Sequence, residues 1–342
     1  MKTEVLKINQ FNIDLDQINK AADVIKSGGL VAFPTETVYG LGADALNPVA
    51  CAKIFQAKNR PLEDPLIVHI ADKEDLFKVA REVYKVTLDL IDEFWPGPLT
   101  VVLKKQEVIP DIITGGLDTI AVRMPNHKIA LNLIREAQTP IAAPSANIFG
   151  RPSPTTAQHV LEDLDGKIEL VIDGGSADIG VESTIVDLTQ DPFCVLRPGG
   201  VGIEELRRII PQVGLYNKDD ILSAGMYPRH YAPNAKVLIV EGNGKKQVEK
   251  VKDLAQDFDM HGYRFGILAK FENKDRYRDF NVKLLGPGND LVACAASLFS
   301  ALRDFDKDQV DVIIAEAVKE EGLGIAIMDR LRRAQGIKKN HV

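Results

Sequence analysis

Apolar residues recur along this chain in two rhythms. Leu15, Ile18, Ala22 and Ile25 are spaced three and four apart, which puts them on one face of a helix, and Gly28-Gly29 supplies its stop. The next run, LVAF from Leu30, is short and continuous and reads as a buried strand. Asn47-Pro48 predicts an N-cap followed by proline in the first turn, opening a helix through Ile54 and Ala57. PLIVHI is a further strand, and a long helical pattern fills 73–94. LTVVLKK, TIAVRMP, PIAAPSAN, ELVIDGG, STIVDL and FCVLRPG follow as short apolar runs, with helices interposed near 128–137 and 155–164. Residues 1–210 therefore predict one α/β domain with a mixed sheet. GLYNKDDILSAGMYPRHYAP sustains neither rhythm, so 211–235 reads as an interdomain linker. In 236–342, KVLIVEG, RFGILAK, NVKLLGPG and VDVIIAEAV alternate with helical stretches, which predicts a smaller, parallel, Rossmann-like domain.

Composition adds limits. At 342 residues the chain has room for two domains, and 45% hydrophobic with 27% charged residues suits a globular protein. No apolar run approaches the roughly 20 residues that span a bilayer. MKTEVLKINQ lacks the apolar region of a signal peptide, and Cys51, Cys194 and Cys294 form no CxxC pair. These features predict a cytoplasmic protein with no membrane partner. A net charge of −7 argues against global attraction to nucleic acid but leaves room for a local basic patch.

The sequence has no P-loop, no GxGxxG opening a helix after a strand, no HExxH and no GxSxG, and its histidines lack metal-ligand spacing. What it does have is a succession of strands that end in polar or cationic residues. LVAF leads into Thr35 and Thr37, PLIVHI carries His69, and TIAV runs into Arg123. IAAP runs into Ser145 and Asn147, then Arg151 and Ser153. Ser183 opens one strand, Arg197 closes another, and Lys58 and Arg60 follow a helix. Ligands of open α/β sheets bind where strand ends converge, and cations among hydroxyls suit phosphate or carboxylate groups. Each residue also has a plainer reading. Lys58 and Arg60 could offset a helix dipole, His69 could be a hydrogen-bonded core histidine, and Arg123 could pair with a buried carboxylate. Only their joint arrival at comparable strand positions favours a site.

PTETVYGLG, KNRP, PLIVH, WPGPLT, AVRMP, PSAN, ESTIVD and LRPG occur here in that order. Together they resemble the YrdC family, whose members make L-threonylcarbamoyl-adenylate for tRNA modification. The match covers about the first 200 residues, and SAGMYPRHYAP with the extra domain resembles the family's long form. The resemblance implies an open twisted sheet with a deep cationic cavity. It implies that L-threonine, bicarbonate or CO2, and ATP give threonylcarbamoyl-AMP and pyrophosphate. A partner transferase then acts on tRNA to form N6-threonylcarbamoyladenosine. Magnesium would come with ATP, and weak contact of the chain itself with tRNA is admitted. No covalent nucleophile is implied. The linker would close over the site. By position, Thr37, His69, Arg123, Ala143 and Ser183 would serve threonine. Lys58, Arg60, Asp64, Thr119, Ser145, Asn147, Ser153, Arg197 and Tyr231 would serve ATP, with His230 beside Tyr231. The family often has an amide where Asp64 stands, and proline is expected at Ala224.

Two rival readings differ in class. An RNA-binding module would use the cationic cavity for backbone phosphates, but no basic, aromatic-rich strand for base stacking is present. Carbamoyl transfer to another acceptor would call for the cysteine-rich segment of larger carbamoyltransferases, which this sequence lacks.

Overall fold

A computed structural model describes residues 2–217, 220–242 and 244–336. The chain divides into two compact units, each built on its own sheet. The first comprises 1–149, 153–178 and 182–226. Its strands are β1 (Glu4–Lys7), β2 (Val31–Phe33), β3 (Gly40–Asp44), β4 (Ile67–His69), β5 (Ala80–Arg81) and β6 (Leu99–Lys105). They continue with β7 (Thr119–Arg123), β8 (Ile141–Ala142), β9 (Leu170–Asp173), β10 (Thr184–Asp187), β11 (Cys194–Arg197) and β12 (Gly214–Leu215). The order across the sheet is β1-β9-β2-β3-β8-β4-β7-β6-β10-β11-β12, with β5 on the end of β6, and parallel and antiparallel pairs are mixed.

The local signals for the helices hold in physical detail. The Asn47 side chain accepts from the amides of Val49 and Ala50, and Pro48 begins the helix Pro48–Lys58. The helix Leu15–Lys26 ends just before Gly28, whose φ of 73° needs glycine's freedom. The long helix expected over 73–94 is broken instead. A short turn and the helix Leu76–Val79 give way to β5, and the helix Lys85–Phe94 starts afresh. Ala80 and Arg81 are taken into register with Lys105 and Lys104, and Glu82 reverses the chain in the left-handed region at φ 57°. Sheet pairing has overridden helical periodicity there.

Both sheet faces are covered. One carries the larger core, with the helices Pro48–Lys58, Lys85–Phe94 and Ala157–Leu164 over Val68, Val101, Leu103, Val122 and Val186. On the other face, the helices Leu15–Lys26 and Lys128–Ala137 cover Val31, Phe33, Ile141 and Ile172 at one side. At the other side, Ala224 and Met226 lie on Ile67, Val102, Ala121, Ile185 and Leu196. Side chains alternate between faces along a strand. His69, Arg123 and Thr100 therefore share the second face with Ile67, Ala121 and Val102, and sit between its two apolar patches.

The second unit comprises 150–152, 179–181 and 227–342. Its strands β13 (Lys236–Val240), β14 (Phe265–Lys270), β15 (Val282–Gly286) and β16 (Val312–Glu316) are all parallel, in the order β13-β16-β14-β15. The helices Gly244–Met260, Leu291–Lys307 and Leu323–Gln335 accompany them, giving the small Rossmann-like arrangement. The stretch expected as one linker, 211–235, is shared out, residues 218 and 219 lying outside the described residues. Residues up to Met226 pack in the first unit, where β12 pairs with β11, and those from Tyr227 belong to the second. Among the described residues no helix is long and apolar enough to cross a membrane.

Gly199 gives this packing a sharp test. A Cβ there would stand 2.3–2.4 Å from backbone atoms of Glu182, Ser183 and Thr184, which cannot rotate away. Gly199→Ala should destabilise the first unit by about 3 kcal/mol, the upper end of overpacking costs. Gly214→Ala, with nothing within 4 Å of the added methyl, is the matched control. Urea midpoints of the two variants decide it, and equal midpoints would refute the packing argument.

Candidate functional site

Two clusters of buried charge lie in the first unit. The first is built on the carboxyl ends of β4 and β7, where His69 and Arg123 are directly paired. Arg123 donates through Nη1 to the Thr37 hydroxyl at 2.8 Å and through Nε to the Gly97 carbonyl at 3.3 Å. Its Nη2 stands 2.7 Å from Glu36 Oε2. The turn after β2 supplies both partners, and it is held by Thr35, whose hydroxyl donates to the Val38 carbonyl at 2.6 Å. The Thr35 and Thr37 hydroxyls are 2.9 Å apart. Opposite Arg123 on β6 sits Thr100, whose hydroxyl meets that of Ser183 at 2.7 Å.

The backbone approaches closely at this cluster. The Ala143 amide donates to the Ile67 carbonyl at 2.8 Å, and Gly40 bridges to Ser145. A Cβ on Gly40 would be 3.3 Å from both the Ala143 methyl and the Phe33 ring. The glycines of YGLG thus let three backbone segments meet beside the hydroxyls. His69 is buried, its Nδ1 is 3.3 Å from the Ile67 carbonyl, and its ring stands edge-on to Phe33 at 6.2 Å. Burial, reinforced by the Arg123 charge, pushes its pKa down to about 3. It is therefore a neutral imidazole at physiological pH.

The second cluster is cationic. Lys58, the last residue of its helix, is buried and donates to the carbonyls of Ser145 and Asn147. Arg60 Nη2 pairs with Asp64 Oδ2 at 2.9 Å and donates to the Pro65 carbonyl at 2.8 Å. Burial raises the Asp64 pKa, against the opposing pull of Arg60, Lys58 and Arg197. Arg60 is paired with Asp64 directly, and the charges of Lys58 and Arg197 also act on it. Arg197 donates through Nη2 to the Ser183 carbonyl at 2.9 Å and through Nη1 to the Ala224 carbonyl at 3.3 Å. Ser183 links the two clusters, since its hydroxyl meets Thr100 and its carbonyl meets Arg197.

The structure thus brings Thr37, His69, Arg123 and Ala143 together at one cluster, with Ser183 alongside. It brings Lys58, Arg60, Asp64 and Arg197 together at the other, with Ser145 and Asn147 supplying carbonyls. Ser153 donates its hydroxyl to the Glu182 carboxylate. Thr119 opens β7, four residues and roughly 13 Å along the strand from Arg123. Tyr231 lies in the second unit, buried, its ring stacked on Phe299 with the Arg330 guanidinium 4.8 Å from its centre. His230 packs edge-on against it. Arg151 also belongs to the second unit and is tied to Asp306 at 3.2 Å.

Sequence reasoning passed over Glu36, Thr100 and Glu182. Glu36 and Glu182 stand inside the quoted motifs PTET and ESTIVD, and their position next to Thr37 and Ser183 is the signal that could have found them. Among the described residues no group of three or more His, Cys, Asp or Glu could hold a metal ion.

Comparison with known proteins places this geometry. Residues 23–199 match the Sua5/YciO/YrdC family model, described as "Telomere recombination". Residues 201–336 match a model described as "Threonylcarbamoyl-AMP synthase, C-terminal domain". The threonylcarbamoyl-AMP synthase of Pyrococcus abyssi is 50% identical over 94% of this chain and 95% of its own length. That of Bacillus subtilis is 45% identical over 94% and 93%. The crystal structure of Pyrococcus abyssi Sua5 complexed with L-threonine superposes with a TM-score of 0.92 at 48% identity, covering 98% of each chain.

The buried, neutral His69 has a pH consequence. Its folded pKa lies below the unfolded value of 6.5. Above pH 6.5 neither state is protonated and the group contributes nothing. Below it the unfolded chain takes up a proton that the folded chain refuses, so stability falls as pH falls. Between pH 7 and 5 this loss is about 2 kcal/mol. His69→Gln should lose about that much less than the native chain over the same interval, read from urea midpoints at both pH values. Identical losses would mean that the folded protein protonates His69.

Proposed function

The chain belongs to the Sua5/YciO/YrdC family in its two-domain form, and from that premise we propose that it makes L-threonylcarbamoyl-AMP from L-threonine, bicarbonate or CO2, and ATP. The observation that carries the proposal is the pair of adjoining buried clusters. One sets hydroxyls and a neutral imidazole around the Arg123–Glu36 ion pair, and the other gathers three cations around Asp64.

The chemistry suits these residues. Threonine's ammonium first gives up a proton to solvent, and the free amine then combines with CO2 and releases a second proton to give an N-carboxylate. That carboxylate attacks the α-phosphorus of ATP, a P–O bond forms, and the bond to the leaving pyrophosphate breaks. Such a transfer depends on positioning and charge neutralisation rather than on an enzyme nucleophile. Arg123 would hold the threonine carboxylate, Thr37 and His69 would face the hydroxyl side, and Ser183 and the Ala143 backbone would complete the pocket. Lys58, Arg60 and Arg197 would take the phosphates. In this reading Asp64 keeps the three cations from repelling one another before ATP arrives. Ser145, Asn147, Ser153 and Thr119 would line the nucleotide half. The mixed anhydride product hydrolyses readily, so burial of both clusters protects it. We assign a covering role to the stretch 211–235. Its first half already lies on Ile67, Ala121 and Ile185.

Magnesium fits this donor set as a companion of the triphosphate, held by substrate oxygens and water. Here it would neutralise charge on the leaving pyrophosphate. The cytoplasm is the compartment proposed, and a transferase acting on tRNA is the proposed consumer of the product.

Purified protein with ATP, magnesium, bicarbonate and single amino acids tests this by mass spectrometry. A threonine-dependent threonylcarbamoyl-AMP mass with matching pyrophosphate is expected, and intact ATP over folded protein would refute the reading. Arg123→Ala should raise the threonine KM, and Arg60→Ala the ATP KM, each corresponding to about 2–5 kcal/mol because a buried carboxylate loses its partner. Unchanged kinetics in both would refute the residue roles while leaving the reaction standing.

A further inference from the structure

Glu36 is a buried carboxylate with unmet demands. It is 5% exposed, and neither oxygen has a hydrogen bond among the described residues. Arg123 Nη2 is 2.7 Å from Oε2, close enough for an ion pair, yet that nitrogen also lacks a hydrogen bond. Behind Glu36, His127 is buried at the start of the helix Lys128–Ala137 with an unpartnered Nδ1. Burial lowers the His127 pKa, an effect that Glu36 and Asp178 oppose. Glu36 is thus ion-paired to Arg123 but not hydrogen-bonded, which leaves its oxygens able to accept from a ligand's donor.

Its neighbour Arg123 has a complementary vacancy of hydrogen bonding and the opposite charge. An α-amino acid zwitterion carries its carboxylate and ammonium on one carbon, so it needs two opposite charges side by side. The Arg60–Asp64 pair does not offer this, because Lys58 and Arg197 also act on Asp64 and leave that cluster net positive. The Arg123–Glu36 pair is flanked instead by the hydroxyls of Thr35 and Thr37 and by neutral His69. We propose that Glu36 is the counter-charge for the substrate's α-ammonium group, making Glu36 and Arg123 together a recognition element for an amino acid zwitterion. This rests on the threonine reading above and adds a binding residue to it.

The element also fixes a direction. With the carboxylate on Arg123 and the amine on Glu36, the side chain at the α-carbon is left to the hydroxyl and imidazole wall. A 3-hydroxy acid without the amine would keep the Arg123 and wall contacts but leave Glu36 unmet.

Calorimetric titration with L-threonine and with 3-hydroxybutyrate, which is threonine without its amine, tests the assignment. The native chain should bind threonine at least about tenfold more tightly, the worth of a charged hydrogen bond. In Glu36→Gln threonine should weaken by about tenfold or more while 3-hydroxybutyrate changes by less than about twofold. Equal losses for both ligands would mean that Glu36 acts only by placing Arg123, and no loss for either would remove it from the site, so both overturn the proposal. If Glu36→Gln does not fold, the native ratio decides, and a ratio near one overturns it. A native chain that forms threonylcarbamoyl-AMP with such a ratio refutes only the Glu36 assignment. A chain that binds no threonine refutes the underlying reading as well.

Discussion

The buried guanidinium of Arg123 ties together distant parts of the first unit. Arginine stays charged at any pH the protein meets, so burial has to be answered by partners rather than by loss of a proton. The answers come from distant parts of the chain: Thr37 and Glu36 from the turn after β2, and Gly97 from the entry to β6. His69 gives way by staying neutral. For these groups to meet, β2, β4, β6 and β7 must hold one register, and glycine stands at 42, where a Cβ would come within 2.8 Å of Phe33 and Ile141, while at Gly40 it would be a tight 3.3 Å from Phe33 and Ala143. The strand register is thus a condition for burying one charge.

The second cluster solves the opposite problem. Lys58, Arg60 and Arg197 bring three cationic side chains toward a buried space, and Asp64, 2.9 Å from Arg60, is the acidic group among them. An amide at this position, as the family resemblance would suggest, could hydrogen-bond Arg60 but could not offset three charges. Ser183 stands between the two clusters with its hydroxyl toward Thr100 and its carbonyl toward Arg197, which makes LRPG and ESTIVD parts of one construction.

Much of this was legible in the sequence, because strand ends are where polar residues break an apolar rhythm. The two-unit α/β organisation, the Asn47 cap and the polar strand ends all follow from local patterns. Three things were not local. The break within 73–94 comes from β5 pairing with β6, a contact that helical periodicity does not record. The sharing of 211–235 between the units depends on which apolar patch accepts Ala224 and Met226. The roles of Glu36 and Thr100 depend on cross-strand neighbours, and a Glu between two threonines reads as an exposed turn residue until Arg123 is found beside it.

The second unit shows how to tell a structural buried charge from a site. Open α/β sheets hold ligands at the carboxyl ends of their parallel strands, and here β14 and β16 end in Lys270 and Glu316. Glu316 is fully buried there, like Glu36, but it accepts from the Lys270 amide at 2.6 Å and from Asn273 and the Tyr277 hydroxyl at 2.8 Å each. Lys270 Nζ in turn donates to Gln247 at 2.6 Å, and Gln247 donates to the Val240 carbonyl at 2.8 Å. Every member of that chain is satisfied by the protein, so a ligand entering would have to replace good hydrogen bonds with no net gain. The Glu36–Arg123 pair has the reverse balance: its burial is incompletely compensated, and a zwitterion would supply what is missing. Fold geometry alone would favour the second unit as the ligand-binding one, whereas the hydrogen-bond accounting favours the first.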